Sequence, residues 1–240
     1  LQSSAASDVY KRQLSNQNIN LDGLKMVDEA TGMSVALIGS DGIYSAVVVS
    51  GANQTIDLSE IAVPDDLTVL VLQNEINTDA NFEIIKKVPK STFIILNAAP
   101  ALTPNKDFFE RIDLLVVNQL EAKMLLNEEP SIFNNLDALR KLQNLGPKEV
   151  IITMGADGYT GISKNGEIFS EPGIKVDVLS THGAGDSFVG TLAAFICKGE
   201  PINIAAQYAQ ASSALHVKTP IDQREKILQA DIENMFSLNQ

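Results

Sequence analysis

Four short, almost purely apolar runs, separated by polar stretches long enough to form helices, constrain this 240-residue chain more than any other feature. The runs are Leu67–Leu72, Thr92–Leu96, Leu114–Val117 and Val150–Thr153, and each reads as a strand buried on both faces. Asp79–Lys87, Gln119–Leu126 and Phe133–Leu145 lie between them and suit helices. Strand and helix alternating in this way predict an α/β fold, a parallel sheet with helices on its faces. Gly146-Pro147 ends the third helix, since neither residue continues one readily. Two β-rich runs come earlier, Met33–Gly39 and Ile43–Val49, with Ser40-Asp41-Gly42 as a hairpin turn. A second hairpin is predicted over Tyr159–Phe169, turning at Asn165-Gly166. Ala184–Lys198, Ile202–Val217 and Arg224–Phe236 read as closing helices.

Composition narrows the functional classes. Hydrophobic residues make up 45% and charged residues 20%, which suits a packed domain and excludes a disordered or collagen-like chain. The net charge of −12 argues against a general nucleic-acid surface or an anionic-membrane surface, both of which want basic patches. It leaves room for a nucleotide, because phosphate binding rests on a few local groups. Cys197 is the single cysteine, which forbids an internal disulfide and fits a reducing, cytoplasmic setting. With only His182 and His216 beside it, no zinc set can be assembled. Residues 1–13 have no apolar period, and Asp8–Gln13 resembles the translation of a transposon-end adapter. They are expected to be a non-native or disordered tail, leaving 14–240 as one domain.

The stretch Thr181-His182-Gly183-Ala184-Gly185-Asp186-Ser187-Phe188 carries the most chemistry. Apolar positions 188, 189, 192, 193 and 196 mark one helix face, so the glycines fall at a helix N-terminus. Free amides there attract an anion, and Asp186 places a carboxylate beside it. Phosphoryl transfer needs that pair: amides for the developing charge and a base for the attacking hydroxyl. A tight turn with Asp186 as a capping residue is the alternative reading. No Walker A pattern is present, and Phe188 stands where a dinucleotide-binding fingerprint wants its third glycine. Asn97 and Asn118 each end an apolar run, where ligands of open α/β sheets bind, though Asn also simply forms turns there. Glu121, three residues after Asn118, either shares a site with it or caps its own helix.

Thr181–Phe188 resembles the C-terminal signature of the ribokinase-like sugar kinases. Further segments agree in order over about residues 30–235: Gly51-Ala52-Asn53, Leu96-Asn97-Ala98-Ala99-Pro100-Ala101, Asn118-Gln119-Leu120-Glu121-Ala122 and Ile152-Thr153-Met154-Gly155-Ala156-Asp157-Gly158. The resemblance implies a mostly parallel sheet flanked by helices, with small β lid strands near 33–50. It implies ATP-dependent phosphoryl transfer to a sugar hydroxyl, ribose O5 first, with a fructokinase, a nucleoside kinase or a catalytically silent ATP-binding module as alternatives. It makes Asp186 the base and Gly183, Ala184 and Gly185 the anion hole. Asn118, Thr153, Gly155 and Gly158 become nucleotide contacts, Glu75 a sugar contact, and Glu121 the organiser of a Mg²⁺ shell. A homodimer through the lid strands belongs to the same expectation.

Departures accompany the matches. The family's N-terminal Gly-Gly-Lys-Gly-x-Asn motif has no counterpart, so the chain resembles the C-terminal two-thirds and is expected to be inactive alone. Ser180 replaces an Asp, and Val217–Gln223 lacks the family's Gly-Ala-x-x-Ser. Both belong to the family's monovalent-cation site, so K⁺ dependence is expected to be weak or lost. His182, where the family has Thr, reads as a loop substitution, or as a charge standing in for that ion.

Overall fold

The computed structural model describes residues 5–38, 44–58, 61–102, 106–128 and 134–239. The chain forms two compact units, residues 1–65 with 74–88, and residues 66–73 with 89–240.

In the first unit the segment expected to be a tail is helical, as α1 (Ala5–Asn16). Strands β1 (Met33–Ile38) and β2 (Tyr44–Val49) pair antiparallel, from Met33 opposite Val49 to Ile38 opposite Tyr44. The Asp41-Gly42 turn predicted between them lies outside the described residues. Gly51 opens a short 3-10 turn at φ +49°, and a Cβ there would run into the carbonyl of Ala30. That close approach lets the Ala52 amide donate to the same carbonyl at 2.8 Å. Only glycine satisfies both demands. Helix α2 (Thr78–Lys87) belongs to this unit too; Asn77 caps it, accepting from the Asp79 amide at 2.9 Å.

The second unit is a six-stranded sheet with strands in chain order: β3 (Val69–Gln73), β4 (Phe93–Asn97), β5 (Leu114–Asn118), β6 (Glu149–Thr153), β7 (Tyr159–Ile162) and β8 (Ile168–Glu171). The first four run parallel, and β7 and β8 continue as an antiparallel hairpin on the β6 edge. Side chains alternate between faces, and both faces are covered. Ile95, Leu114, Val116 and Ile151 pack on α6 (Ala184–Cys197) and α7 (Ile202–Lys218) through Phe188, Leu192, Ala205 and Ala209. The alanines of α7 let that helix approach closely. Leu115, Val117, Val150 and Ile152 are buried on the other face, where α4 (Gln119–Leu126) and α5 (Asn135–Gln143) lie against β5 and β6. Tyr159 joins the β7 hairpin to α6, edge-on to Phe169 at 6.3 Å and to Phe188 at 5.9 Å between ring centroids.

The mostly parallel, helix-flanked sheet is therefore as expected. Two local readings change. Helix α3 (Lys106–Arg111) was not foreseen. The predicted helix Arg224–Phe236 is divided into a 3-10 turn over Ile221–Lys226 and helix α8 (Gln229–Ser237). Arg224, in that turn, bonds to the loop before α6, as described below.

Candidate active site

The parallel strands end in polar residues at one edge of the sheet. Gln73 stands beside Asn97, and Asn118 beside Thr153, in register. This is the carboxyl edge, where open α/β sheets bind ligands. Asn118 is also the N-cap of α4: its Oδ1 accepts from the Glu121 amide at 2.9 Å, and Glu121 Oε2 accepts from the Asn118 amide at 2.8 Å. The capping alternative for Glu121 is thus realised. Carboxylate oxygen Oε2 is spent on the cap. Burial raises the Glu121 pKa, and its bonds with Asn118 work against that rise.

The start of α6 is built differently. Its N-cap is Gly183, at φ +78° in the left-handed region, with no side chain to offer. The Ala184 amide returns to Thr181 O at 3.1 Å, and Ser187 N–H makes the first helical bond, to Gly183 O, at 2.9 Å. Among the described residues, the amides of Gly185 and Asp186 have no backbone acceptor. The Asp186 side chain is exposed in the first turn and makes no hydrogen bond to a described residue. Two unspent donors and a free carboxylate therefore share one helical turn.

A third element borders the carboxyl edge. Residues 155–157 form a 3-10 turn joining β6 to the antiparallel β7. Gly155 has φ +59° and open space around a notional Cβ. Gly158 has φ +92°, and a Cβ there would collide with the Glu171 carbonyl at the end of β8. Gly155 thus leaves room above the loop, while Gly158 lets its base close on β8.

The model of the pfkB family of carbohydrate kinases matches residues 1–226. The chain belongs to that family. A ribokinase of Schizosaccharomyces pombe is 30% identical over 216 residues, covering 85% of this chain and 68% of the relative. A ribokinase of Arabidopsis thaliana is 30% identical over 212 residues, covering 83% of this chain but 55% of its own length. The crystal structure of a ribokinase from Thermotoga maritima superposes with a TM-score of 0.85 at 25% identity, over 98% of this chain and 78% of that one. An Arabidopsis ribokinase, solved with ribose and ATP, shares the fold at a TM-score of 0.85, 24% identity, and coverage of 98% and 80%.

For a pfkB-family kinase, the structure brings Asn118, Glu121 and Thr153 together at the sheet edge. Gly183, Ala184, Gly185 and Asp186 form one turn. Glu75 is exposed, two residues beyond Gln73, and lies in the other compact unit. His182 contributes its carbonyl to the loop, while its side chain is exposed. A cleft of about 130 Å³ between β8 and α7, lined by Glu171, Gln207 and Phe236 among others, includes none of these residues and is small for a nucleotide. Sequence reasoning missed Arg224 and His216, which hold the loop before α6. Their only signal was the altered segment Val217–Gln223, which marked the place and not the agents.

Proposed function

We propose that this protein transfers the γ-phosphoryl group of ATP to a sugar hydroxyl, with ribose O5 as the first acceptor. The observation that carries the reading is the uncapped start of α6, where unspent amides of Gly185 and Asp186 adjoin the unpaired Asp186 carboxylate. Amides so placed stabilise charge that develops on a transferring phosphoryl group. Asp186 takes the proton of the attacking hydroxyl. Held at the positive end of a helix, its carboxylate stays ionised and acts through position more than basicity.

Asn118, Thr153, Gly155 and Gly158 are assigned to the nucleotide, and Glu75 to the sugar. Mg²⁺ fits Glu121: the ion commonly takes one or two carboxylates with phosphate oxygens and water, and a carboxylate held by Asn118 can orient the ion's water shell. When bound, the ion neutralises phosphate charge. No group of three or more His, Cys, Asp and Glu side chains converges among the described residues, so a nucleotide-borne ion suits this site better than a protein cage. The relatives of known activity named above are ribokinases, which supports ribose over other acceptors.

The test is ADP release with MgATP and a panel of ribose, deoxyribose, fructose and adenosine. Highest kcat/KM on ribose is expected, and such turnover by this chain overturns the expectation that it is inactive alone. Preference for fructose or adenosine reassigns the acceptor, and nucleotide binding without turnover on any acceptor favours a silent module.

A further inference from the structure

The guanidinium of Arg224 gathers the backbone that leads into α6. Nη2 donates to Ser180 O at 3.0 Å, Nη1 to His182 O at 2.8 Å, and Nε to Thr219 O at 3.1 Å. Nη1 also lies 2.9 Å from His216 Nε2, which is 3.0 Å from His182 O. A guanidinium can only donate, so the tautomer with Nε2 unprotonated lets both the ring and the carbonyl accept from it. Further bonds fix the same loop: the amides of Leu179 and Ser180 donate to Val217 O, and Ser213 Oγ donates to Ala184 O at 2.9 Å. Space around the N-cap is also closed, since a Cβ on Gly183 would come within 2.9 Å of His216 Nε2.

Three carbonyls from two segments surround one guanidinium, each on a different nitrogen, so acceptors that could serve a cation are taken by a side chain of the protein. We propose that Arg224 is a positioning residue for phosphoryl transfer, a permanent internal cation that sets the Ser180–Gly183 loop so that the Gly185 and Asp186 amides face the phosphoryl group. Arg224 holds the His182 carbonyl in the turn preceding those amides. Because the three carbonyls are already engaged by a charge that never dissociates, the loop has no need of a dissolved monovalent ion. Nη1 bonds the carbonyl of His182, the residue before the Gly183 N-cap, which places the guanidinium charge beside the reacting turn.

This inference rests on the reading of the α6 start as the phosphoryl site, and the experiment separates the two. Calorimetry on the full chain compares a non-hydrolysable ATP analogue with ADP, for wild type, Arg224→Met and Arg224→Lys. The wild type is expected to bind the triphosphate equally in KCl and in tetramethylammonium chloride at fixed ionic strength. Arg224→Met should lose at least ~10-fold in triphosphate affinity relative to ADP, the order of one charge-assisted contact. Arg224→Lys, or millimolar guanidinium added to Arg224→Met, should restore part of that ratio. An unchanged ratio in Arg224→Met overturns the inference and spares the functional reading. Parallel loss of both nucleotides without rescue also overturns it, as a plain structural role. If Arg224→Met does not fold, the lysine variant and the salt exchange on wild type decide: a tenfold or larger gain with K⁺ in wild type overturns the inference. Failure of wild type to bind either nucleotide overturns both readings.

Discussion

Two helices begin beside the carboxyl edge of the same sheet, and they treat their first amides in opposite ways. At α4 the sequence supplies its own cap: Asn118 and Glu121 satisfy each other's backbone within one turn. At α6 the N-cap is a glycine, the first turn holds a second glycine, and two amides are left for something outside the chain. A self-capped start favours folding, because orphan donors are paired before any ligand arrives. An open start costs stability and keeps its donors for an anion. Under the proposed function, the difference gives structural work to the first helix and chemical work to the second. It also locates the compensation: the open start is held from outside, by Arg224, Ser213 and the end of α7.

The sharpest way to break this comparison is Asp186→Asn. If the open turn does the chemistry, kcat should fall at least ~100-fold, the usual scale of a positioned general base, with little change in ATP affinity. Steady-state kinetics with a separate binding titration checks this, and near-normal turnover would move the base elsewhere.

Gly183→Ala probes the shape of the open start. An alanine at φ +78° costs about 1–2 kcal/mol in backbone strain, and its Cβ also meets His216. For a chain of this size that is a fall in Tm of roughly 2–8 °C. Thermal unfolding should show it together with weakened triphosphate binding. A variant that melts like wild type would mean that the left-handed N-cap is dispensable.

The smallest effect is expected at the self-capped helix. Asn118→Ala removes one half of the capping box, worth about 1 kcal/mol, or a Tm lower by roughly 2–4 °C. The comparison sharpens if the same variant also raises the KM for ATP, because Asn118 would then serve both its helix and the nucleotide. A loss of stability alone would leave it a cap.

Much of this was legible in the chain because the signals are local. The apolar runs ending at Asn97, Asn118 and Thr153 are strands because residues buried on both faces must be apolar throughout; burial stops at Asn118 and Thr153, while Asn97 is still buried. Gly183-Ala184-Gly185-Asp186 announced a helix start because the apolar period begins directly after it. Glu121 stood between two readings, since three-residue spacing suits both a cap and a shared site. Only the folded chain shows that one oxygen is already committed.

Arg224 could not be read in the same way. Its bonds join residues 44, 42 and 5 positions away, and a helical pattern around it concealed that the chain is drawn into a tighter turn. The sequence by itself determined the parallel sheet, the helices on its two faces and the turn that bears Asp186, since hydrophobic periodicity and glycine act over a few residues. The tertiary structure alone decided which carbonyls converge on which cation, because that depends on α7 delivering a distant turn to the loop before α6. A guanidinium has no preferred partner in sequence, and its fork is satisfied wherever packing brings acceptors together.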